Sequence, residues 1–214
     1  MKIPSREAVE AFQGLVSSRR YIYHICTSLR FEKICQCQEI RSRNSLGQID
    51  DDYALDSLVK LRSEIRLPDG RFLNDTVPFY FTPRQPMFSR LIREEKARPE
   101  EIVAIGFDFE KLKSKYRHWL FSTNPAYEGS KYLGDWSQRA FLHWDVLEKW
   151  HWNSDAAPKE EKIRESWKRQ AEILLEAPVS LRDSAHVVVD KKSRLGDSLE
   201  WCSYVYKIEG IFEW

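Results

Sequence analysis

The sequence lacks the long apolar runs of a membrane protein and the glycine-rich loops of common nucleotide-binding enzymes. No apolar run approaches the roughly 18 residues that a membrane-spanning helix requires. The patterns G-x-G-x-x-G and G-x-x-x-x-G-K, which cradle phosphates with main-chain N–H groups, are missing, as are H-E-x-x-H and G-x-S-x-G. These absences argue against a Rossmann dehydrogenase, a P-loop ATPase, a kinase and an α/β-hydrolase.

Cysteine and histidine are too few and too scattered for a disulfide framework or a zinc site. The chain has four cysteines, and Cys35 and Cys37 have no second pair at a suitable distance. We therefore expect no metal. The first seven residues contain no apolar region that could serve as a secretory signal. We expect a cytoplasmic protein with reduced thiols.

The net charge is also small, since 34 Lys and Arg balance 33 Asp and Glu to leave +1. The overall electrostatic footprint of a nucleic-acid-binding protein is thus absent. Local basic surpluses exist, however: residues 19–43 hold six Lys or Arg against two Glu, and residues 84–98 hold five against two. Such surpluses suit phosphate contacts, although solvated helix faces have the same composition.

What the sequence does contain is an apolar patterning that predicts a mixed α+β domain. Ser5 can cap a first helix through its hydroxyl group. Strands are predicted at 21–26, 77–81, 102–107, 119–121, 171–175, 186–189 and 203–208, and helices at 29–40, 53–65, 136–150 and 159–170. The polar loop at 122–135 is long enough to suggest a function.

Three segments hold residues with chemical potential. His24 lies in an aromatic strand, where a lone histidine is more often structural than functional. Residues 77–87 surround an aromatic run with three prolines, which gives a rigid platform, although core packing explains this composition as well. Glu172 opens an otherwise apolar strand, where a carboxylate is either exposed at the strand end or held for a purpose.

Together the three segments resemble DarT, a family of bacterial toxin enzymes that ADP-ribosylate nucleic acid. The segment 23–26 matches the family's Tyr-His-Ile-Thr except at Cys26. Residues 77–87 match Val-Pro-Phe-Tyr-Phe-x-Pro-Arg-x-Pro-Met, and residues 169–172 match Arg-Gln-Ala-Glu. The resemblance covers most of the chain, from about Tyr21 to the last strand.

The resemblance implies an α+β fold similar to other ADP-ribosyltransferases, in which a split, strongly bent β-sheet flanked by helices binds NAD. It also implies one domain over residues 21–214, preceded by a helical extension over residues 1–20. NAD would act as co-substrate, and the chemistry would need no metal.

Residue roles follow from the same resemblance. Glu172 corresponds to the catalytic glutamate and Arg62 to the catalytic arginine, with Arg66 as the alternative because a loop of variable length lies between the motifs. Contacts with the cofactor are implied for His24, Cys26, Tyr80, Arg84 and Asn44. Contacts with nucleic acid are implied for Met87, Arg90 and Asn124.

The implied function is a toxin of a toxin–antitoxin or phage-defence system that modifies a base, thymidine or guanine, in single-stranded DNA. Bases of messenger RNA remain an alternative target. So does a protein-directed transferase or NAD glycohydrolase, and a non-enzymatic nucleic-acid binder is a third class. The toxin interpretation implies an antitoxin partner, either an ADP-ribosyl glycohydrolase or a protein that masks the site.

Overall fold

The computed structural model describes residues 4–46, 56–126, 130–151, 157–195, 199, 202 and 204–213. The helices of these residues are α1 (Arg6–Val16), α2 (Ser28–Cys37), α3 (Asp56–Glu64), α4 (Pro86–Arg93), α5 (Phe109–Lys115), α6 (Trp144–Leu147) and α7 (Lys159–Arg169). The strands are β1 (Tyr21–Thr27), β2 (Glu39–Ile40), β3 (Thr76–Tyr80), β4 (Ile102–Asp108), β5 (Trp119–Ser122), β6 (Tyr132–Leu133), β7 (Glu172–Glu176), β8 (Val179–Ser180), β9 (Ser184–Asp190) and β10 (Val205–Ile208).

Eight strands form one open mixed sheet in the order β10-β9-β4-β1-β3-β7-β5-β6, and β2 pairs with β8 separately. The large sheet is split between β1 and β3. Strand β1 pairs with β4 along its whole length but with β3 only at Tyr23↔Tyr80. The sheet thus has two halves that diverge from a single pair. This arrangement confirms the predicted α+β class with a split sheet flanked by helices.

The centre of the sheet is buried on both faces. All seven residues of β4 are buried, and such strands consist of nearly continuous apolar residues. One face carries Phe79, Phe107 and Ile173 in the main core cluster. The opposite face carries a second cluster that includes Phe12 of α1 and Ile25 of β1. Helix α1 therefore shares a core with the sheet, and the predicted division at residue 20 stays a prediction.

The predicted elements differ from the structure mainly where the elements are short. Ser5 caps α1 as predicted, because its hydroxyl accepts from the Ala8 N–H at 3.2 Å. The predicted helix 136–150 is instead a 3-10 segment, Trp136–Phe141, followed by the single turn of α6. Trp136 is held in a cluster of aromatic rings formed with Phe81, Phe109 and others, and this packing outweighs helical propensity. Strand β6 lies inside the predicted loop 122–135.

Candidate active site

Strand register places one buried carboxylate at the start of an inner strand of the second half-sheet. Glu172 is the first residue of β7 and pairs with Tyr80 of β3 on one side and with Ser122 of β5 on the other. Its side chain is only 3% exposed. Because side chains alternate along a strand, Glu172 shares a face with Leu174, opposite the main core cluster. A buried carboxylate requires a partner.

That partner is Arg62 of α3. Its two terminal nitrogens donate to Oε1 and Oε2 of Glu172 at 3.1 and 3.0 Å, which is a bidentate pair. Burial opposes the charge on Arg62, but the carboxylate more than offsets this effect and raises the pKa of the guanidinium above its ordinary value. Arg66 instead points elsewhere, donating to the Gly70 carbonyl and lying 4.2 Å from the Phe72 ring.

A small apolar cluster explains why α3 delivers Arg62 to this point. Ile65 and Leu67, which follow the helix, are buried together with Leu174 of β7 and Ala126. Leu174 lies two residues beyond Glu172 on the same face of the strand. The packing therefore holds the end of α3 against the face of the sheet that carries the carboxylate.

The segment after β5 completes the surroundings of the carboxylate with main-chain groups. The Ala126 N–H donates to Oε1 of Glu172 at 3.2 Å, and the Ala126 carbonyl accepts from Arg62 at 3.3 Å. The Ser122 hydroxyl steadies this segment by donating to the Asn124 carbonyl at 2.6 Å. Sequence reasoning missed Ala126, because a main-chain donor leaves no signature in the residue type.

Two tyrosines face the same pair. The pKa values of Tyr80 on β3 and Tyr132 on β6 are raised above the usual value of a tyrosine. Burial is the larger cause, and the negative charge of Glu172 is the second. Both phenols are therefore protonated at neutral pH and can donate a hydrogen bond. Tyr80 was predicted as a cofactor contact, whereas Tyr132 was missed because its two-residue strand lay inside an apparent loop.

His24 bridges the split in the sheet. Its Nδ1 lies 3.1 Å from the Pro78 carbonyl of β3. A carbonyl only accepts, so Nδ1 carries the proton and Nε2 is an acceptor. Burial lowers the pKa of His24 to about 4, so the ring is neutral at pH 7. Cys26 on the same strand is buried in the main core, and burial raises the pKa of its thiol to about 12.

Arg84, which was predicted as a cofactor contact, makes structural hydrogen bonds to the main chain, and its role toward the cofactor stays a prediction. The side chain is fully buried. Its guanidinium donates to the main-chain carbonyls of Gly210, Ile211 and Glu213 and lies 4.5 Å from the Trp150 ring. The burial lowers the pKa of Arg84 to about 9. A guanidinium engaged in this way anchors the C-terminal segment.

The family-like segments are also tied to each other by Arg169, which sequence reasoning did not assign. It is fully buried, and its Nε donates to the Arg84 carbonyl at 2.8 Å. A second guanidinium nitrogen donates to the carbonyls of Val146 and Lys149 at 2.6 and 2.8 Å. The Gln85 amide donates to the Arg169 carbonyl at 3.0 Å. These bonds fix the start of β7 and hence Glu172.

The remaining predicted contacts lie on the surface. The exposed Asn44 donates to the Asp75 carboxylate at 2.7 Å. Met87, which is 37% exposed, and Arg90, which pairs with Glu94 at 2.5 Å, both lie on α4. None of these contacts reaches Glu172, and their roles toward cofactor or nucleic acid stay predictions.

Comparison with known proteins gave one family and several similar structures. The family model described as "ssDNA thymidine ADP-ribosyltransferase, DarT" matches residues 23–195. The structure of Thermus sp. 2.9 DarT in complex with ADP-ribosylated ssDNA is similar, with a TM-score of 0.75 and 19% identity over 91% of this chain and 97% of that chain. The same Thermus protein in complex with NAD+ gives a TM-score of 0.69 and 19% identity over 91% and 98%.

Thermosipho africanus DarTG in complex with ADP-ribose gives a TM-score of 0.71 and 18% identity over 90% of this chain and 51% of that chain. At these identities the structural likeness shows a shared fold. Comparison with curated proteins gave no significant match. Across the described residues, no helix has the length and hydropathy to cross a bilayer, and no group of three or more His, Cys, Asp or Glu could hold a metal ion.

Proposed function

Because the chain belongs to the DarT family and is therefore an NAD-dependent ADP-ribosyltransferase, we propose that it transfers ADP-ribose from NAD to thymidine in single-stranded DNA. The observation that carries the proposal is the bidentate pair between Arg62 and the buried carboxylate of Glu172 at the start of β7. Removing charged groups from water costs free energy even when they pair, and perturbed ionisable groups concentrate at functional sites.

Glu172 acts on the ribose in this proposal. Breaking the bond between nicotinamide and ribose develops positive charge at C1′ of the ribose, and a nearby carboxylate stabilises that charge. A carboxylate has about four lone-pair sites, of which Arg62 and Ala126 occupy three. One acceptor position is thus left for a ribose hydroxyl. The same carboxylate can receive the proton of the attacking base nitrogen.

The neighbouring groups have complementary roles. Nε2 of His24 is an acceptor for another ribose hydroxyl, because the Pro78 carbonyl fixes the proton on Nδ1. The protonated phenol of Tyr80 supplies a donor beside Glu172. Arg62 holds the carboxylate in one orientation and offsets charge through a planar, bidentate contact. The leaving group is nicotinamide, and the new bond joins C1′ to the base nitrogen.

We also infer a biological setting. An enzyme that modifies DNA harms its own cell, so we propose that the protein is a toxin with an antitoxin partner that removes the modification or masks the site. The likeness to one half of the Thermosipho africanus DarTG chain supports this proposal. Since NAD and DNA are the substrates, the reaction would take place in the cytoplasm.

Mass spectrometry of oligonucleotides tests the proposal. The purified protein is incubated with NAD and four matched substrates: a mixed-sequence DNA strand, the same strand with every thymidine replaced, its RNA equivalent, and its duplex. The expected result is a mass gain of one ADP-ribose on the thymidine-containing single strand alone. A gain on the thymidine-free strand would move the target to another base, which fragmentation would identify as guanine or not, and a gain on RNA alone would favour messenger RNA. NAD hydrolysis with no modified strand would contradict the nucleic-acid function.

A further inference from the structure

A groove of about 290 Å³ lies beside the catalytic segment and is not explained by the reaction described above. It is lined by Asn124, His143 and one side of α7, namely Glu160, Ile163, Arg164, Trp167 and Lys168. We call this feature the α7 groove. Its volume is at the lower end of small-molecule sites, which fits a single nucleotide better than an extended ligand.

The side chains of the groove combine an aromatic surface with positive charge. Ile163 and Trp167 are one helical turn apart, and they are 48% and 46% exposed. Arg164 and Lys168 repeat the same spacing. Lys168 lies 3.2 Å from Glu165, while Arg164 is exposed and makes no ion pair within the described residues. Glu160 is the one carboxylate of the lining.

This composition suits a nucleotide. Proteins that bind single strands use exposed aromatic rings on which bases stack, together with Lys and Arg that contact the backbone. A protein partner is a poorer fit, because stable interfaces bury roughly 800 Å² on each side, whereas this groove offers two apolar side chains.

The position of the groove connects it to the reaction centre. Helix α7 ends at Arg169, three residues before Glu172. On its other side the groove is lined by Asn124, which lies two residues before Ala126, the main-chain donor to Glu172. A strand whose reacting base lies at Glu172 can therefore extend past Asn124 along α7.

We propose that the α7 groove binds a nucleotide flanking the reacting base, with Trp167 stacked on its base and Arg164 and Lys168 in contact with its phosphates. The inference rests on the proposed function and deepens it by assigning a substrate subsite. Trp167 is then a substrate-binding residue that leaves NAD chemistry untouched.

Steady-state kinetics of the Trp167→Ala variant test the stacking contact. Loss of one stacked base corresponds to about a tenfold rise in the oligonucleotide KM, and we expect this rise with no change in the NAD KM. Fluorescence anisotropy with a labelled thymidine-containing strand, in the absence of NAD, should show the same loss of affinity. Trp167→Phe keeps a stacking ring and should stay near wild type. Phe141→Ala, which removes another exposed ring (59% exposed), should change nothing.

The phosphate contacts have a separate measurement. The affinity for a single strand falls as salt rises, and the slope of log affinity against log salt concentration becomes shallower by about 0.7 for each phosphate contact that is lost. Arg164→Gln should show this smaller slope. Arg182→Gln, a matched change of another exposed arginine in the Leu181–Asp183 turn, should keep the wild-type slope.

The outcomes separate the inference from the function. If wild type modifies the strand and folded Trp167→Ala does so with unchanged KM and affinity, the assignment of the α7 groove to a nucleotide is overturned. The exposed side chains of the groove would then be assigned to a protein partner. If wild type neither binds nor modifies any strand, the proposed function fails and the subsite fails with it. Circular dichroism and thermal melting verify that the variants fold.

Discussion

Arg62 and Glu172 are 110 residues apart in the sequence, yet two nitrogens of one face two oxygens of the other at 3.1 and 3.0 Å. Arg66, which lies just beyond the end of α3, donates to the Gly70 carbonyl instead. Substitutions at the two arginines can therefore be compared as a matched pair, because one arginine contacts the carboxylate and the other lies on the surface.

Arg62→Lys should reduce kcat by about 100-fold, because a lysine keeps the charge but loses the planar two-point contact that orients Glu172. NAD consumption in the presence of a thymidine-containing strand measures the effect. Arg66→Lys is the matched control and should retain wild-type turnover. Equal losses of kcat in both variants would contradict the assignment of Arg62 as the catalytic arginine.

Acid should destabilise the fold between about pH 6.5 and pH 4. Burial lowers the pKa of both His24 and His186 to about 4, whereas an unfolded histidine titrates near 6.5. Within this window the unfolded chain binds more protons, so stability is present above pH 6.5 and decreases as pH falls, by up to about 1.4 kcal/mol per pH unit for each group.

Urea unfolding at pH 7, 6 and 5 measures this slope. His186→Phe should make the dependence on pH shallower, since one of the two groups is removed. Phe141→Leu, which removes an exposed ring without a titratable group, is the control and should leave the slope unchanged. If His186→Phe leaves the slope unchanged, buried His186 is not a source of the pH dependence of stability.

Gly106→Ala should destabilise the sheet by about 1–3 kcal/mol, because an added Cβ would lie 2.3 Å from Nε2 of His186 on the neighbouring strand. Gly14→Ala is the opposite case: it lies in α1 with open space around it, so the change should be neutral or stabilising by about 1 kcal/mol. Thermal melting compares the two. A double variant with His186→Ala should recover most of the Gly106→Ala loss.

Arg84→Met should free the C-terminal segment. The carbonyls of Gly210, Ile211 and Glu213 would lose their donor, and unpaired buried acceptors cost about 1–3 kcal/mol each. Hydrogen exchange should therefore accelerate over residues 208–213 and remain slow in β4. Turnover per folded molecule should change little. A protected C-terminal segment with a selective rise in the NAD KM would instead support the predicted cofactor contact of Arg84.

The sequence was sufficient to predict the α+β class and most long elements, because their apolar periodicity is strong. It also singled out Glu172 as a carboxylate that opens an apolar strand, whereas Arg62 and the catalytic roles of both residues came from motif resemblance. The two-residue strands β2, β6 and β8 are too short to produce a pattern. Ala126 contributes through its main chain, which any residue type could do.

Arg84 shows a different limit of sequence reasoning. A matched motif position cannot distinguish an arginine that binds a ligand from one that donates to buried carbonyls. The same is true of Arg169, whose four described bonds support the start of β7. Part of the family-like pattern therefore maintains the framework that presents Glu172.

The role of Glu172 is tested by mass spectrometry of a thymidine-containing DNA strand incubated with NAD and either wild type or Glu172→Gln. The substitution keeps the shape of the side chain and removes its charge. Wild type should add one ADP-ribose, and the variant, verified as folded, should lose at least about 100-fold in rate. A variant that modifies the strand at the wild-type rate would contradict the assignment of Glu172 as the catalytic carboxylate.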